Sequence, residues 1–436
     1  MVDLKKVVEQ TDPTVVGAEL HAFAAELYPI CRSITGEGIR RTLDLIGRHI
    51  PLRVSNVPTG TRVFDWTVPK EWNVRDAYIK DSNGRRVVDF QKSNLHVLNY
   101  STPIRAQMTL RDLKPHLFSI PEHPDWIPYR TSYYKEDWGF CLSHNQLLAM
   151  NEGEYEVCID SSLEDGTLTY GECYLPGRTT DEVLISCHAC HPSLANDNLS
   201  GLTVATFLAR LLSQCDRHHS YRFLFIPGTI GAITWLAQNR ETTGRVLHGL
   251  VLTCIGDLGG FHYKKSRRAD AEIDRAAAHV LKHQAEPFDI LEFSPYGYDE
   301  RQYCSPGFNL PVGCLMRSVW GTFPEYHTSA DNLDFIRPVQ LGTSLRVCAA
   351  IVDVLENNRK YRNLNPFCEP QLGRRNLYRT TGGDAIGEEI NARLWVLNLS
   401  DGEHSLLDIA ERSGIPFSVI CGAAELLQQG GLLAAI

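Results

Sequence analysis

Residues 185 to 201 read Ile-Ser-Cys-His-Ala-Cys-His-Pro-Ser-Leu-Ala-Asn-Asp-Asn-Leu-Ser-Gly. Two histidines, His188 and His191, precede Asp197, which stands between two asparagines and ahead of Ser200-Gly201. Imidazole nitrogens and a carboxylate are the donor set that a catalytic Zn2+ takes, with one position left open for water or substrate. The residues before them, Glu182-Val-Leu-Ile-Ser, have the character of a short apolar strand, and those from Ser200 to Leu212 have helical spacing. The polar cluster is therefore expected at the carboxyl end of a strand, where open α/β sheets bind their ligands.

Outward from this stretch, strands and helices alternate between about residues 128 and 365. Glu154 to Ile159, Thr167 to Tyr174, Glu182 to Ser186, Tyr221 to Ile226 and Leu250 to Ile255 read as strands. Residues 201–215, 229–240, 270–283 and 340–357 read as helices. This predicts an α/β fold, a mainly parallel mixed sheet with helices on both faces. Two further helices within 17–48 join that domain, which is expected to comprise 1–50 and 128–365. Between them, 51–127 carries short β-branched and aromatic runs with the hairpin signal Asn83-Gly84, and reads as an inserted β-rich module. In 372–436 a short helix ends at Gly414 and a second runs from Phe417 to Gln429, the outline of a winged helix-turn-helix.

The chain has 436 residues, 43% hydrophobic and 22% charged, which suits two or three ordinary globular domains. Its first residues, MVDLKKVVEQTDPTVVG, lack the apolar core of a signal peptide, and no run approaches the roughly 20 apolar residues of a membrane span. Thirteen cysteines, an odd number scattered from Cys31 to Cys421, are expected to be reduced thiols in a cytoplasmic protein. The net charge of −9 argues against nucleic acid or an anionic membrane as partner. Self-association into a homo-oligomer is compatible with all of this.

Each candidate also has a plainer reading. Histidines at strand ends are often satisfied by backbone groups, and Asn-Asp-Asn is an ordinary turn. Cys187-His-Ala-Cys-His191 matches the C-x-x-C-H pattern of haem attachment and contains a redox-type C-x-x-C, but that haem chemistry belongs to exported proteins. Asp257 follows the strand ending at Ile255 and caps a turn in its plainer reading. His327 lies in Glu325-Tyr-His-Thr-Ser-Ala-Asp-Asn, where Asp331 could cap the next helix while His327 has no such local task. Asp299-Glu-Arg-Gln-Tyr-Cys-Ser-Pro-Gly is a third charged loop, either a solvated turn or a source of substrate contacts.

The order of an early His, an Asp in Asn-Asp-Asn-Leu-Ser-Gly, an Asp after a later strand and a His in Tyr-His-Thr-Ser-Ala-Asp-Asn resembles the zinc aminopeptidase superfamily. More closely, the chain resembles a bacterial family of aminopeptidase-like proteins with a peptidase-like α/β domain, an inserted β-module and a C-terminal winged helix; Phe64-Asp-Trp is part of the likeness. The resemblance implies metal binding by His188, Asp197, Asp257 and His327, and one Zn2+ ion. Cys190 stands where those peptidases have an aspartate that orients the first histidine, which makes His191 a rival ligand. The implied activity is hydrolysis of an amide bond in a small peptide or aminoacyl substrate, with Asp299, Arg301 and Tyr326 as substrate contacts.

Pro227-Gly-Thr-Ile-Gly231 departs from that pattern. The resemblance places a Glu-Glu pair here, the first the general base and the second a ligand of a second metal; this chain has Gly228 and Thr229. A general base contributes about 10²–10⁴-fold in rate. Another carboxylate could replace it, Glu300 and Glu325 being the candidates, or the protein binds without hydrolysing, or the glycine is an introduced substitution. Single-zinc acyl transfer or cyclisation is a further alternative. The C-terminal zone, Leu372 to Ile436, has five Arg and Lys against eight Asp and Glu, a net of −3, and Phe417 to Gln429 has no cation. DNA affinity rests on cations at phosphates, so a packing or protein-contact module is expected there.

Overall fold

The computed structural model of the chain describes Leu4, residues 12–378 and residues 387–436. Residues 1–3 and 5–11 of the first expected domain, and 379–386 of the expected winged helix, lie outside the described residues. Helices α1 (Pro13–Leu27) and α2 (Glu37–Gly47) lead into β1 (Arg53–Pro58). A β-rich stretch follows with β2 (Glu71–Lys80), β3 (Arg86–Asp89), β4 (Ile104–Thr109) and β5 (Glu154–Glu164). The alternating region begins with β6 (Thr167–Leu175), β7 (Glu182–His188), α3 (Gly201–Leu212), β8 (Ser220–Ile226), α4 (Ile230–Gln238) and β9 (Val246–Leu252). It continues with β10 (Phe261–Lys264), α5 (Glu272–Lys282), β11 (Phe288–Leu291), β12 (Val312–Met316) and α6 (Pro338–Asn357). The C-terminal elements are β13 (Lys360–Asn363), α7 (Glu388–Leu399), β14 (Asp401–Ser405), α8 (Leu406–Ser413), α9 (Phe417–Gln429) and β15 (Leu433–Ala435).

Eight strands form one mixed sheet in the order β1-β6-β8-β7-β9-β12-β10-β11. Its centre, β8-β7-β9-β12, is parallel, while β1, β6 and β10 each enter through an antiparallel pairing. Side chains alternate along these strands with period two. Val183, Ile185, Phe223, Phe225, Leu250 and Leu252 pack on one face, in the layer built with α1, α2, α3, α5 and α6. Leu184, Leu224, Ile226 and Val251 point to the other, against Ile230, Ile233 and Trp235 of α4 and Trp72, Ala77 and Val157 of the β-rich module. The expected two-sided cover is therefore present, with the module making up much of the second layer. By the same alternation His188 falls on the module side.

The module is an antiparallel sheet of order β3-β2-β5-β4. Asn83-Gly84 turns its first hairpin, where Gly84 takes a φ of +76° that suits glycine. The expected limits of 51–127 are corrected at both ends. β1 pairs with β6 in the large sheet, because Val57 buries its side chain there, and β5 pairs with β2 and β4 in the module. β5 and β6 are consecutive strands in two different sheets.

At the C-terminus β13 pairs with β14 and β15, so the winged sheet takes a strand from Lys360, upstream of the expected start at 372. This domain leans on the α/β core. Arg275 on α5 bonds Asp408 and Glu411 on α8, and the Phe417 N–H at the head of α9 donates to His279 Nε2 at 3.0 Å. The end of α9 that such helices present to a DNA groove is here against α5. Helix α6 has the length and apolar composition of a membrane span, but it is mostly buried among α1, α3 and α5. Among the described residues no two cysteines are joined by a disulfide.

Burial, with help from His283 and Lys282, lowers the His279 imidazole to about 4, so it accepts from Phe417 as a neutral ring. The unfolded chain therefore binds this proton more readily, and the stability it contributes is present near pH 7 and lost as pH falls from about 6.5 towards 4. A thermal-unfolding series across that range should show stability falling by roughly 3 kcal/mol at most from this group, with a shallower pH dependence in His279→Gln.

Candidate metal centre

His188 is the last residue of β7, and the chain then crosses the carboxyl edge of the sheet in a loop pinned from below. Arg32, fully buried, donates from Nε to the His191 carbonyl (2.7 Å), from Nη1 to Leu27 (2.7 Å) and from Nη2 to Pro192 (3.1 Å). The Asn-Asp-Asn triplet has a division of labour. Asn198 Nδ2 donates to the Leu252 carbonyl at the end of β9 (2.9 Å), and its Oδ1 accepts the Gly201 N–H (3.1 Å). Asn196 Nδ2 donates to Asp257 (2.7 Å), and its Oδ1 accepts the Gly256 N–H (2.9 Å). Asp331 accepts the backbone N–H groups of both Asn196 and Asp197, at 2.5 and 3.0 Å. With its neighbours clamped, Asp197 is left to project into the site. Gly201 opens α3 there because a Cβ would stand 2.5 Å from the Leu252 carbonyl oxygen.

Three imidazoles converge on that carboxylate. His188 Nε2 lies 2.8 Å from Oδ1, His191 Nδ1 3.9 Å from Oδ1, and His327 Nε2 2.9 Å from Oδ2. Donor atoms of His188, His191 and Asp197 all lie within 4.8 Å of one another. The fit to a divalent cation rests on His191, whose Nδ1 is buried with no hydrogen-bond partner among the described residues. Such an orphan is costly unless something is coordinated there. Burial holds His191 well below the usual imidazole range, against the pull of Asp197, so the ring is neutral. Burial alone would raise Asp197, but His188 and His327, both hydrogen-bonded to it, hold it well below the ordinary carboxylate range. A neutral imidazole and an ionised carboxylate are the forms that bind metal.

His327 is delivered from the 317–337 loop in a left-handed conformation (φ +56°), its carbonyl accepting the Tyr129 N–H at 2.8 Å. Its side chain is one-third exposed, whereas His188 and Asp197 are fully enclosed. Tyr326 stacks on His327 with centroids 3.9 Å apart. Asp257 does not join the cluster: Ser318 and the Gly259 N–H hold its Oδ1 (both 2.6 Å) and Asn196 its Oδ2, which makes it a brace for the Asn196 turn. Glu300 is buried, with Oε1 paired to Lys264 Nζ at 2.8 Å and Oε2 without a hydrogen-bond partner among the described residues. Glu325 is half-buried, with its carbonyl turned to Thr328, and Arg301 is half-buried with Nε unpartnered among the described residues.

Asp299 was expected as a substrate contact. It is fully buried, and neither oxygen has a hydrogen-bond partner among the described residues. Burial pushes it up to about 7, with His188 drawing it down. A Cβ built on Gly228 would stand 3.6 Å from its Oδ1 but only 2.9 Å from His188 Cβ, so the glycine is required by the close approach of His188. Cys187 and Cys190 are buried thiols, the first pushed well above 9 and the second to about 12, chiefly by burial, so neither is a poised thiolate. The sequence reading missed Arg32, Tyr129 and Tyr298. Tyr129 sets its ring edge against His191 and His327, both at 5.1 Å, and Tyr298 donates to Asp197 Oδ2 at 2.7 Å. The run Ser-Pro-Tyr-Gly-Tyr298 beside Asp299 was the available signal for the last of these.

Comparison with known proteins agrees with this layout. The model of a family described as a domain of unknown function (DUF4910) matches residues 21–358, and that of a winged helix-turn-helix matches 359–435. A protein of Clostridium acetobutylicum described as a putative polysaccharide biosynthesis protein with aminopeptidase-like domain is 51% identical, over 99% of each chain. The crystal structure of a putative peptidase from C. acetobutylicum superposes with a TM-score of 0.95 at 49% identity over the whole of both chains. A zinc aminopeptidase from Bacillus subtilis matches at a TM-score of 0.56 and 12% identity, covering 77% of this chain and 94% of its own. An M28 peptidase precursor from Shewanella amazonensis matches at 0.56 and 13%, covering 81% and 96%. At these identities the last two show a shared fold.

Elemental analysis after loading with Zn2+ separates the roles assigned above. His188→Ala, His191→Ala and Asp197→Ala should each lose the bound ion. Asp257→Asn, which keeps a partner for Ser318, should retain it with affinity lowered by about 10–100-fold, the usual effect of an outer brace.

Proposed function

The chain belongs to the DUF4910 family of aminopeptidase-like proteins, and on that premise we propose that it is a zinc-dependent amide hydrolase of the aminopeptidase type. The observation that carries this reading is the convergence of His188, His191 and His327 on the buried carboxylate of Asp197. A single Zn2+ held there would supply Lewis acidity to a scissile carbonyl and to a water. His188, His191 and Asp197 are the ligands in this reading, because their donor atoms cluster most tightly. His327, more open to solvent, completes the shell from the substrate side.

Asp299 takes the proton in this reading. Its Oδ1 stands about as far from the Cβ position of residue 228 as a glutamate carboxylate stands from its own Cβ, so a carboxylate from another loop serves the region that Gly228 leaves bare. Lacking any hydrogen-bond donor, it has its lone pairs free for a water. The substrate class is a small peptide or an aminoacyl compound, met by Tyr326 and Arg301 at the rim. A second reading, a catalytically silent metal- and substrate-binding protein, is favoured by Gly228 itself.

The deciding assay offers aminoacyl amides and short peptides to the zinc-loaded protein. Turnover above a His188→Ala control is expected; its absence sinks the hydrolase reading and leaves the silent one. Asp299→Asn should lower kcat by about 10²–10⁴-fold while zinc content is kept. Gly228→Glu is expected to weaken zinc binding, because its Cβ would press on His188. Activity gained in that variant with zinc retained would instead mark the chain as a disabled enzyme.

A further inference from the structure

The His-Asp cluster makes no use of Phe64-Asp65-Trp66. These residues turn a two-stranded hairpin in which Arg62–Val63 pairs with Trp66–Thr67. Phe64, the first of the two turn residues, has a φ of +57°, a conformation that favours glycine. A bulky ring kept there at a steric cost points to a use for the ring. The core does not use it, for Phe64 and Trp66 are each 44% exposed. A second ring braces each of them at a steep angle, Phe308 against Phe64 (centroids 5.8 Å, 73°) and Tyr134 against Trp66 (5.2 Å, 61°). Both rings are thus presented to solvent in a set orientation.

The hairpin, α4 and the 302–308 segment together surround an open cavity of about 420 Å³. Small-molecule sites have roughly 300–1,000 Å³. Ile233 and Leu236 of α4 give the cavity its buried apolar surface, and Asp65, Arg240 and Gln302 give it polar groups. Among the described residues no hydrogen bond or ion pair engages the side chains of these three. An acid and a base therefore face one cavity without neutralising each other. A ligand held by charge alone would gain little from them, because Asp65 and Arg240 are exposed to water.

We propose that this cavity is a saccharide-binding site that takes one pyranose unit. A pyranose has an apolar C–H face and a rim of hydroxyls that both donate and accept. The exposed rings of Phe64 and Trp66 match the face. For the rim, the Asp65 carboxylate accepts, the Arg240 guanidinium donates and the Gln302 amide does both. The site is independent of how the His-Asp cluster is read, since none of the cluster's residues lines it.

Saturation-transfer NMR on the full-length protein tests this, with the methyl glycosides of glucose, galactose, mannose and N-acetylglucosamine as probes. At least one probe should receive saturation, strongest on its ring C–H protons, and equally in zinc-loaded and chelator-treated protein. Trp66→Ala and Phe64→Gly should each weaken that binding by about tenfold or more, as loss of an aromatic anchor does. Phe64→Gly suits the turn and is expected to fold, so it decides alone should Trp66→Ala not fold. Saturation of no probe, or binding unchanged in Phe64→Gly, overturns the proposal. Glycylglycine is the counter-probe: binding of this zwitterion in place of the glycosides, lost in Asp65→Ala, would mark a site read by charge and overturn it as well.

Discussion

One buried negative charge organises this molecule. Taking a carboxylate out of water costs several kcal/mol unless it is matched by donors or opposite charge, and Asp197 is wholly enclosed. The chain meets that demand with imidazoles and a phenol facing the two oxygens, and with the flanking backbone held by Asp331, Asn196 and Asn198. The groups that anchor the turn are remote: Leu252 ends β9, Gly256 follows it and Asp331 lies in the loop before α6, so the turn is held only when the sheet is assembled. Asp331 itself is pushed up to about 8, chiefly by burial, and still accepts two backbone N–H groups.

The second organising element is the β-rich module, which is part of the core. It shares the face of the sheet on which His188 lies, and the segment between its strands β4 and β5 carries Tyr129 to the His-Asp cluster, where its N–H fixes the His327 carbonyl. A protein with helices on both faces could have covered that side with helices alone. This one uses α4 and a four-stranded sheet, and the connection between β4 and β5 reaches the side of the sheet on which the His-Asp cluster lies.

Much of this was legible before any coordinates. The alternation of strands and helices is a strong local signal, and the β7–α3 stretch places its polar residues where parallel strands end. The His-His-Asp cluster could be read because three ligand-type residues fall within one turn of chain. An acid after a strand looks alike in sequence whether it grips a metal or a neighbouring asparagine, and the contacts of Asp257 with Ser318, Gly259 and Asn196 appear only in the folded chain. Arg32 and Tyr298 stayed hidden because their partners lie about 160 and 100 positions away in the chain, and no periodicity encodes such pairs. The outer limits of the module were misplaced since β1 and β5 have the same local character whichever sheet they join.

The passage of β5 directly into β6 has a mechanical consequence. Two successive strands of one ribbon are hydrogen-bonded into different sheets, joined by a turn of only two residues, Asp165 and Gly166. A hinge between the layers would have to break ladder bonds on one side or the other. The module is therefore held in place against the face of the large sheet on which His188 lies.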